Sequence, residues 1–296
     1  MNRRFYVVYN PKGGGGTAPK VLDRFTPFFQ DYGFDLNLHE TEHPHHGIDL
    51  IRESDLSAFD GVLVVGGDGS IHDIINGLMT RGDGKRLPIG ILPAGTGNSF
   101  MQHLDCLDPN EAAERIARWE PRFVDIAEVK TETQTLYAFN FIGWGTPAEI
   151  NQRAERMRWL GKHRYTVAAL IEILLLHKPF TQLTIEGRTE EGPFVFAMGC
   201  LVRYTGVGMK VAPLAVIDDG LIDLLLVRNA GKMELLNVFP KIFSGDHLGH
   251  PKLEYLQVKD FSISSEEPGV LNLDGEVFPD RNISVRVLPG EIQVLV

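Results

Sequence analysis

Three glycine-rich segments, each directly after a short apolar run, constrain the fold of this chain more than any other feature. They span residues 10–18, 66–70 and 92–100. Apolar runs this short, bounded by Gly, Pro or Asp, predict buried strands, and strands that alternate with helices predict a parallel sheet flanked by helices. Because ligands bind at the carboxyl ends of the strands in such sheets, three glycine corners on neighbouring strands predict a nucleotide-binding edge.

The apolar pattern changes near residue 123, which predicts two domains of different class. Before it we predict strands at 5–9, 34–38, 62–65 and 89–92, and helices at 17–32, 70–80 and 110–119. After it we predict strands at 123–129, 136–142, 182–186, 194–203, 221–227, 254–264, 283–288 and 292–295, with turns at 190–193, 267–269 and 289–290. The sequence thus predicts an α/β domain over residues 1–124, then an antiparallel β-sandwich over residues 125–296 with a helical insertion near 149–178.

Composition excludes several classes of protein. The 296 residues are 43% hydrophobic and 23% charged, which is typical of a globular chain and not of a disordered, collagenous or coiled-coil one. Cys106 and Cys200 form no CxxC pair and favour a reducing cytosol over a disulfide framework. The net charge of −10 argues against nucleic acid as a partner. The longest apolar stretch, 166–176, is interrupted by Glu172 and is shorter than the roughly 18 residues of a membrane span.

The first glycine corner, residues 10–18, contains four consecutive glycines. Glycine lets a backbone approach a ligand closely, and the amides at the following helix N-terminus attract anions. Thr17 is a candidate N-cap for that helix. No Gly-Lys-Ser/Thr follows the glycines, so the segment is not a Walker A loop. On these residues alone, a phosphate site and a plain strand-to-helix turn are equally open.

The second and third corners add side chains that suit nucleotide chemistry. Asp68 stands among three glycines, where an aspartate can hold Mg²⁺ or accept a proton from a hydroxyl. The alternative is a turn aspartate that caps the next helix, and the helical pattern that follows at 73–78 favours function. Thr96 lies between Gly95 and Gly97, which together offer backbone amides and a hydroxyl to a phosphate or ribose.

Together these segments resemble the diacylglycerol kinase catalytic-domain family, which includes bacterial lipid kinases, sphingosine kinases and ceramide kinases. The matching residues are Asn10-Pro11-Lys12-Gly13-Gly14, Gly66-Gly67-Asp68-Gly69-Ser70 with Asn76-Gly77, Gly95-Thr96-Gly97-Asn98, Asp218-Asp219-Gly220-Leu221-Ile222-Asp223 and Leu273-Asp274-Gly275-Glu276. Residues 159–165 are also similar to a stretch of sphingosine and ceramide kinases, so the resemblance covers essentially the whole chain. NAD kinases and phosphofructokinases share GGDG alone, whereas GGDG, GTGN and a late LDGE in this order are specific to the family.

The resemblance implies ATP-dependent transfer of the γ-phosphoryl group to a lipid hydroxyl, with the active site between the two domains. It offers two candidates for the catalytic general base, Asp68 and Glu276, and our hypothesis is that both are needed. The ATP-binding residues that it implies are Asn10, Lys12, Gly13, Thr41, Gly66, Gly67, Gly69, Ser70, His72, Gly95, Thr96 and Asn98. It also implies a structural Mg²⁺ site formed by the Asp219 side chain and the carbonyls of Val216 and Leu221, although a simple Asp-Asp-Gly turn explains those residues equally well.

The helical insertion carries the candidate lipid-binding residues. Five Arg and Lys side chains lie between residues 153 and 164, interleaved with aromatic residues, and an apolar run follows at 167–176. This pattern suits an acyl chain and an anionic membrane surface, and the alternative is a solvated basic face beside a core helix. The resemblance implies substrate contacts at Asn151, Arg158 and Arg164. Asn151 replaces a carboxylate that pairs with the lipid amine in sphingosine kinases, which favours a neutral lipid alcohol such as diacylglycerol or a ceramide-like lipid.

We therefore expect a cytoplasmic lipid kinase that uses ATP and Mg²⁺, contacts a membrane peripherally and binds no nucleic acid; a homodimer is left open. Two alternatives also stay open: an NAD kinase-like enzyme and a non-catalytic nucleotide-binding regulator. The late LDGE and Asp-Asp-Gly blocks favour a lipid kinase over an NAD kinase. The presence of Asp68, Thr96 and Glu276 argues against a regulator without turnover.

Overall fold

A computed structural model describes residues 3–206, 208–267 and 269–296; the side chains of Arg158 and Lys162 lie outside this description. The chain divides into two compact units. The first unit consists of Met1–Asp125 and Gly290–Val296, and the second unit consists of Ile126–Pro289. The chain therefore leaves the first unit once and returns to it for its last residues.

The first unit is a parallel sheet with helices between its strands. Its strands are β1 (Arg3–Tyr9), β2 (Phe34–Glu40), β3 (Gly61–Gly66) and β4 (Ile89–Pro93). Its helices are α1 (Ala18–Asp31), α2 (His46–Glu53), α3 (Asp68–Met79), α4 (Ser99–His103) and α5 (Pro109–Arg118), and a short 3-10 helix covers Gly13–Gly15. The strands pair in the order β2-β1-β3-β4, all in parallel. Val294 and Leu295 add a further parallel pairing beside β4.

The apolar pattern explains this arrangement. All six residues of β3 are buried, as a central parallel strand covered on both faces requires. Helix α1 buries Ala18, Leu22, Phe25 and Phe29, which recur at helical spacing on one face. A proline in its first turn fixes a backbone angle that suits a helix start.

The second unit is built around antiparallel strands. Its elements are β5 (Pro121–Lys130), which begins in the first unit, β6 (Thr135–Ala138), β7 (Phe141–Gly145), α6 (Thr146–Arg156), α7 (Arg164–Leu175), β8 (Phe180–Ile185), β9 (Arg188–Pro193), β10 (Phe196–Cys200), β11 (Ile222–Val227), α8 (Lys232–Val238), β12 (Leu253–Val258), β13 (Asp260–Ser265), β14 (Leu271–Leu273), β15 (Glu276–Phe278) and β16 (Ile283–Leu295), which ends in the first unit. Short 3-10 helices cover Arg158–His163 and Phe239–Ile242.

Two sheets of the second unit enclose one core. Six strands form an antiparallel sheet in the order β12-β11-β10-β7-β14-β15. The start of β16 pairs antiparallel with β13, and β8 and β9 follow. Ile142, Trp144 and Leu224 of the first sheet pack with Phe261 and Val285 of the second in a single buried cluster. Alternating inward-facing side chains of two sheets around one core are typical of a β-sandwich.

Two of the predicted turns are wrong. Residues 190–193 lie inside β9, and the hairpin turn is formed instead by Glu186 and Gly187, which both have positive φ. A two-residue turn of that kind matches the twist of the strands that it joins. Residues 289–290 lie inside β16, where Gly290 has φ of +60°. A glycine with positive φ inside a strand bends it without ending it.

Other predicted elements divide in the structure. The strand predicted at 136–142 is β6 and β7, and the strand predicted at 254–264 is β12 and β13, which belong to different sheets. The helical insertion is two helices, α6 and α7, separated by the Arg158–His163 stretch, in which Gly161 has φ of +56°. Among the described residues, no helix combines the length and the apolar character needed to traverse a bilayer.

Candidate active site

The first glycine corner is shaped by Asn10. Its Oδ1 accepts hydrogen bonds from the backbone N–H groups of Lys12 (2.9 Å) and Gly13 (3.1 Å), which folds the loop back directly after β1. Gly14 has φ of +56°, and a Cβ there would lie 2.0 Å from the carbonyl oxygen of Ala94. Only glycine allows this approach, so the loop rests against the end of β4.

Thr17 ties the first corner to the third. It occupies the N-cap position of α1, but its side chain makes no cap hydrogen bond there. Its Oγ1 donates instead to the Ala94 carbonyl (2.7 Å), with the Gly14 carbonyl at 3.1 Å. The predicted capping role is therefore wrong: the backbone of Thr17 is helical, with φ of −82° and ψ of −29°, whereas a capping residue is typically extended.

Asp68 ties the second corner to the third. Its Oδ2 accepts a hydrogen bond from the backbone N–H of Ser99 (2.8 Å), and its Oδ1 accepts one from Phe100 (3.2 Å). Gly67 and Gly95 touch at the same place, since a Cβ on Gly95 would lie 2.4 Å from the Cα of Gly67. Asp68 thus binds the first two N–H groups of α4, and this joins the second corner to the third.

The remaining predicted ATP-binding residues of the first unit follow the ends of its strands. The N–H of Thr41 donates to the Tyr9 carbonyl (3.0 Å), which places Thr41 beside the end of β1. Asn98 holds the third corner through its amide, bonding both the N–H (3.2 Å) and the carbonyl (2.9 Å) of Gly95. Thr96 is exposed at the tip of that corner. The structure therefore gathers the predicted residues at the carboxyl edge of one sheet.

His72 and Ser70 complete this set from α3. The His72 ring is only 2% exposed, and the Asn76 amide lies 3.3 Å from its Nε2. Ser70 packs against Gly66, where a Cβ would meet the Ser70 Oγ at 2.4 Å. A side chain at position 66 would therefore prevent the close packing of α3 against the end of β3. Gly69 is exposed in the first turn of α3.

Glu276 lies on a hairpin that polar side chains hold in place. The hairpin is formed by β14 and β15, and Asp274 at its turn has φ of +53°. The Asp274 carboxylate, 6% exposed, accepts hydrogen bonds from the N–H groups of Phe139 (3.2 Å), Asn140 (2.9 Å) and Phe141 (3.0 Å). Asp274 is therefore a structural anchor for the strand that carries Glu276.

Asn272 and Asn151 hold the same turn from two sides. Asn272 Oδ1 accepts a hydrogen bond from the N–H of Gly275 (3.0 Å), and Asn151 Nδ2 donates to the carbonyl of Gly275 (2.5 Å). Asn272 does not stand out in the sequence, although Asn is one of the residues that turns favour. Asn151 was predicted to contact substrate, and in the structure its amide reaches the Glu276 hairpin.

Ion pairs join charged side chains of the helical pair α6–α7, and Trp159 between the two helices is exposed. Arg164 forms an ion pair with Glu155 (3.2 Å), and Arg153 forms one with the buried Glu172. Burial, with the Glu172 charge second, raises the pKa of the Glu149 carboxyl. Trp159 is 80% exposed. The side chain of Arg158, the third predicted substrate residue, lies outside the described residues.

The residues of the predicted Mg²⁺ site lie in a turn. Asp219 Oδ1 accepts a hydrogen bond from the N–H of Leu221 (3.0 Å), Gly220 has φ of +72°, and Val216 is partly exposed. One carboxylate with backbone carbonyl oxygens is a hard donor set of the kind that Mg²⁺ prefers. Within the part of the chain that the structure describes, no three His, Cys, Asp or Glu side chains group closely enough to hold a metal ion.

Comparison with known proteins gives the family. The family model of the diacylglycerol kinase catalytic domain matches residues 4–129, and that of the YegS C-terminal NAD kinase beta sandwich-like domain matches residues 140–296. Sphingosine kinase 1 of Arabidopsis thaliana is 28% identical over 93% of this chain and 68% of its own length. Diacylglycerol kinase of Bacillus subtilis (strain 168) is 26% identical over 93% of this chain and 90% of its own.

The fold has solved counterparts. A Bacillus anthracis str. Sterne protein assigned as a diacylglycerol kinase superposes with a TM-score of 0.81 at 24% identity, over 99% of this chain and 95% of its own. An α/β unit with glycine corners, followed by a β-sandwich, is thus the two-domain architecture that the sequence predicted, and the predicted fold class is confirmed. The chain belongs to the diacylglycerol kinase catalytic-domain family, and the prediction that it is an enzyme of the lipid kinase class is also confirmed.

Proposed function

We propose that this lipid kinase transfers the γ-phosphoryl group of ATP to the hydroxyl of a neutral lipid alcohol. The single observation that carries the proposal is the joining of the three glycine corners by Thr17, Asp68 and the Gly67–Gly95 contact. It assembles backbone amides and one carboxylate at the carboxyl edge of a parallel sheet, where phosphate groups bind. The curated relatives named sphingosine kinase and diacylglycerol kinase support a lipid acceptor.

The first unit offers the groups that ATP needs. The proposed binding residues are those predicted from the sequence: Asn10, Lys12, Gly13, Thr41, Gly66, Gly67, Gly69, Ser70, His72, Gly95, Thr96 and Asn98. Lys12 is exposed on the first corner and supplies a positive charge for a phosphate. Bound Mg²⁺ would neutralise charge that develops on the transferred phosphoryl group. A structural Mg²⁺ ion at Asp219, Val216 and Leu221 is part of the same proposal.

We assign the general base to Glu276 and an organising role to Asp68. Both Asp68 oxygens already accept backbone N–H groups, which favours holding the second and third corners together over proton transfer. In the proposed step the lipid hydroxyl oxygen attacks the γ-phosphorus, and its proton passes to the Glu276 carboxylate. The bond from the γ-phosphorus to its bridging oxygen breaks, and ADP leaves.

The helical pair of the second unit supports the choice of a neutral lipid acceptor. Asn151 carries no charge to pair with a lipid amine, and its amide is engaged by Gly275, so a neutral alcohol such as diacylglycerol or a ceramide-like lipid fits better than a free sphingoid base. Exposed Trp159, Leu174 and Leu175, with Arg164 nearby in sequence, suit an anionic lipid surface.

The test is nucleotide consumption with defined acceptors. The purified protein is given Mg·ATP with diacylglycerol, ceramide, sphingosine or NAD, and phosphorylated products are identified by mass spectrometry. We expect turnover with a neutral lipid alcohol and a loss of about 10²- to 10⁴-fold in kcat for Glu276→Gln. Glu266→Gln, at an exposed carboxyl of the same unit, is the matched control. Phosphorylation of NAD alone, or no turnover with any acceptor, would overturn the proposal.

Membrane contact needs its own measurement. Co-sedimentation with anionic vesicles is compared between the native protein and Leu175→Asp, which places a charge at a leucine that is 60% exposed. Met233→Asp is the matched control, since Met233 is 70% exposed on α8. We expect Leu175→Asp to reduce binding by several-fold and Met233→Asp to leave it unchanged. Equal binding of all three proteins would remove the membrane contact from the proposal.

A further inference from the structure

The peptide that precedes Glu276 has an unusual backbone. Asp274 has φ of +53° and Gly275 has φ of +110°, and a Cβ on Gly275 would meet nothing within 4 Å. Gly275 is exposed at the end of the hairpin. A glycine in open space has many accessible backbone angles, so the orientation of this peptide depends on the groups that bind it.

Both polar groups of Gly275 are bound by asparagine side chains. Its N–H donates to Asn272 Oδ1 (3.0 Å), and its carbonyl accepts from Asn151 Nδ2 (2.5 Å). The Gly275 carbonyl and the Glu276 N–H belong to one planar peptide group. The hydrogen bond from Asn151 therefore fixes the plane from which the Glu276 side chain departs.

Asn151 lies on the buried face of α6, where an amide side chain needs a hydrogen-bond partner. Ala148, Asn151 and Ala154 recur every three residues and are all buried, with Asn151 only 5% exposed. An apolar side chain would suit a buried stripe of small residues, whereas a buried amide is costly unless it is hydrogen-bonded. Helix α6 also contacts both β14 and β15. The amide at position 151 thus serves the hairpin.

We propose that Asn151 is a positioning residue, which holds the Gly275–Glu276 peptide so that the Glu276 carboxylate points toward the lipid hydroxyl. This inference rests on the proposed role of Glu276 as general base. Asn151 acts through Glu276 and does not itself take part in proton transfer. Because misplacement of a reacting group by about 1 Å lowers rates by about 100-fold, the loss of this bond falls on kcat rather than on substrate binding.

The experiment compares Asn151→Leu with a matched control on the same helix. Gln152→Leu likewise replaces an amide side chain by leucine, at the adjacent exposed residue. For Asn151→Leu we expect kcat to fall by about 10- to 100-fold, with the KM values for ATP and lipid within about threefold of native. For Gln152→Leu we expect native kinetics. Asn151→Ser, whose hydroxyl is too short to reach Gly275, is the second variant, and thermal melting checks that each variant is folded.

A double-mutant cycle with Glu276→Gln separates this inference from the proposed function. If Asn151 acts through Glu276, Asn151→Leu has no further effect on kcat in the Glu276→Gln background. An equal loss in both backgrounds, a native kcat for Asn151→Leu, or unfolding of both position-151 variants would overturn the positioning role while Glu276 keeps its own. Near-native activity of Glu276→Gln would instead overturn the assignment of the base, and this inference with it.

Discussion

The glycine corners of the first unit and the Glu276 hairpin of the second unit are held in place in two different ways. Both must fix polar groups just beyond the end of a strand. In the first unit, Gly67 and Gly95 lack side chains, so two backbones touch. In the second unit, Asp274 and Asn151 add side chains that hold the backbone by hydrogen bonds. The first region is therefore sensitive to added atoms, and the second to lost donors and acceptors.

The largest effect is expected where an atom is added between two backbones. In Gly95→Ala the new Cβ would lie 2.4 Å from the Gly67 Cα, and neither backbone can yield without moving its corner. We expect kcat/KM for ATP to fall by about 100-fold or more. Gly82→Ala is the matched control, because a Cβ there meets nothing within 4 Å. A native kcat/KM for Gly95→Ala would show that the corners do not need this contact.

The next effect is expected where an acceptor is lost from the hairpin. Asp274→Asn keeps the size of the side chain but turns one acceptor into a donor, which then faces backbone N–H groups in a buried site. We expect the free energy of unfolding to fall by about 3 kcal/mol, measured by urea denaturation. Asp260→Asn, at an exposed strand end, should be neutral. If the two variants are equally stable, the hairpin does not depend on this carboxylate.

A smaller effect tests the Thr17 side chain, which connects the first and third glycine corners. Thr17→Val removes the hydroxyl that donates to the Ala94 carbonyl and keeps the shape of the side chain. We expect a loss of about 1 kcal/mol in the free energy of unfolding and a several-fold rise in KM for ATP. Thr17→Ser retains the hydroxyl and should restore both values. Val and Ser variants with the same KM would exclude a role for the hydroxyl.

The smallest expected effect is a change of stability with pH at Asp223. Unlike Asp274, this buried carboxylate is not bound by three backbone N–H groups in the part of the chain that the structure describes. Asp223 is fully buried, and its Oδ1 accepts from Tyr255 (2.6 Å) and Gln257 (3.3 Å), whereas its Oδ2 has no hydrogen-bond partner among the described residues. Burial raises the pKa of this carboxyl above its ordinary value. Its contribution to stability is therefore complete below the ordinary pKa of Asp, and is lost as the pH rises through the raised pKa.

Asp223→Asn measures that contribution directly. The asparagine side chain is neutral at every pH, so the stability of the variant relative to the native protein should increase as the pH rises above the ordinary pKa of Asp, about 4. Urea denaturation at several pH values gives the difference, with Asp260→Asn as the exposed control. A difference that stays constant with pH would mean that Asp223 does not titrate in this range.

The sequence predicts the first unit well because its signals are local. Strands β1, β3 and β4 each contain a short apolar run, and each is followed by a glycine corner that is visible without any structure. The contacts that join the corners are not visible in this way. Thr17 and Ala94 are 77 residues apart, and Asp68 and Ser99 are 31 apart, so no spacing rule relates them. The pattern predicted the parts of the site, and the three-dimensional structure supplied their connections.

The second unit is harder to predict because its signals are weak or ambiguous. Strands β14 and β15 have three residues each, too short for an alternating pattern to stand out. The Pro-Gly pair inside β16 has the composition of a turn, but its backbone bends a strand. The bond from Asn151 to Gly275 spans 124 residues, so the role of that asparagine follows only from packing.

The pairing of β16 with β4 forms late during synthesis of the chain. Val294 and Leu295 complete the pairing of β4 in the first unit, yet they follow the whole second unit in the chain. At about 5–20 residues per second, a ribosome needs roughly 8–30 s to make the intervening residues. Throughout that interval the N-terminal unit has the exposed edge of β4 where its final neighbour belongs. A chaperone that binds this edge would protect it until Val294 and Leu295 have been made.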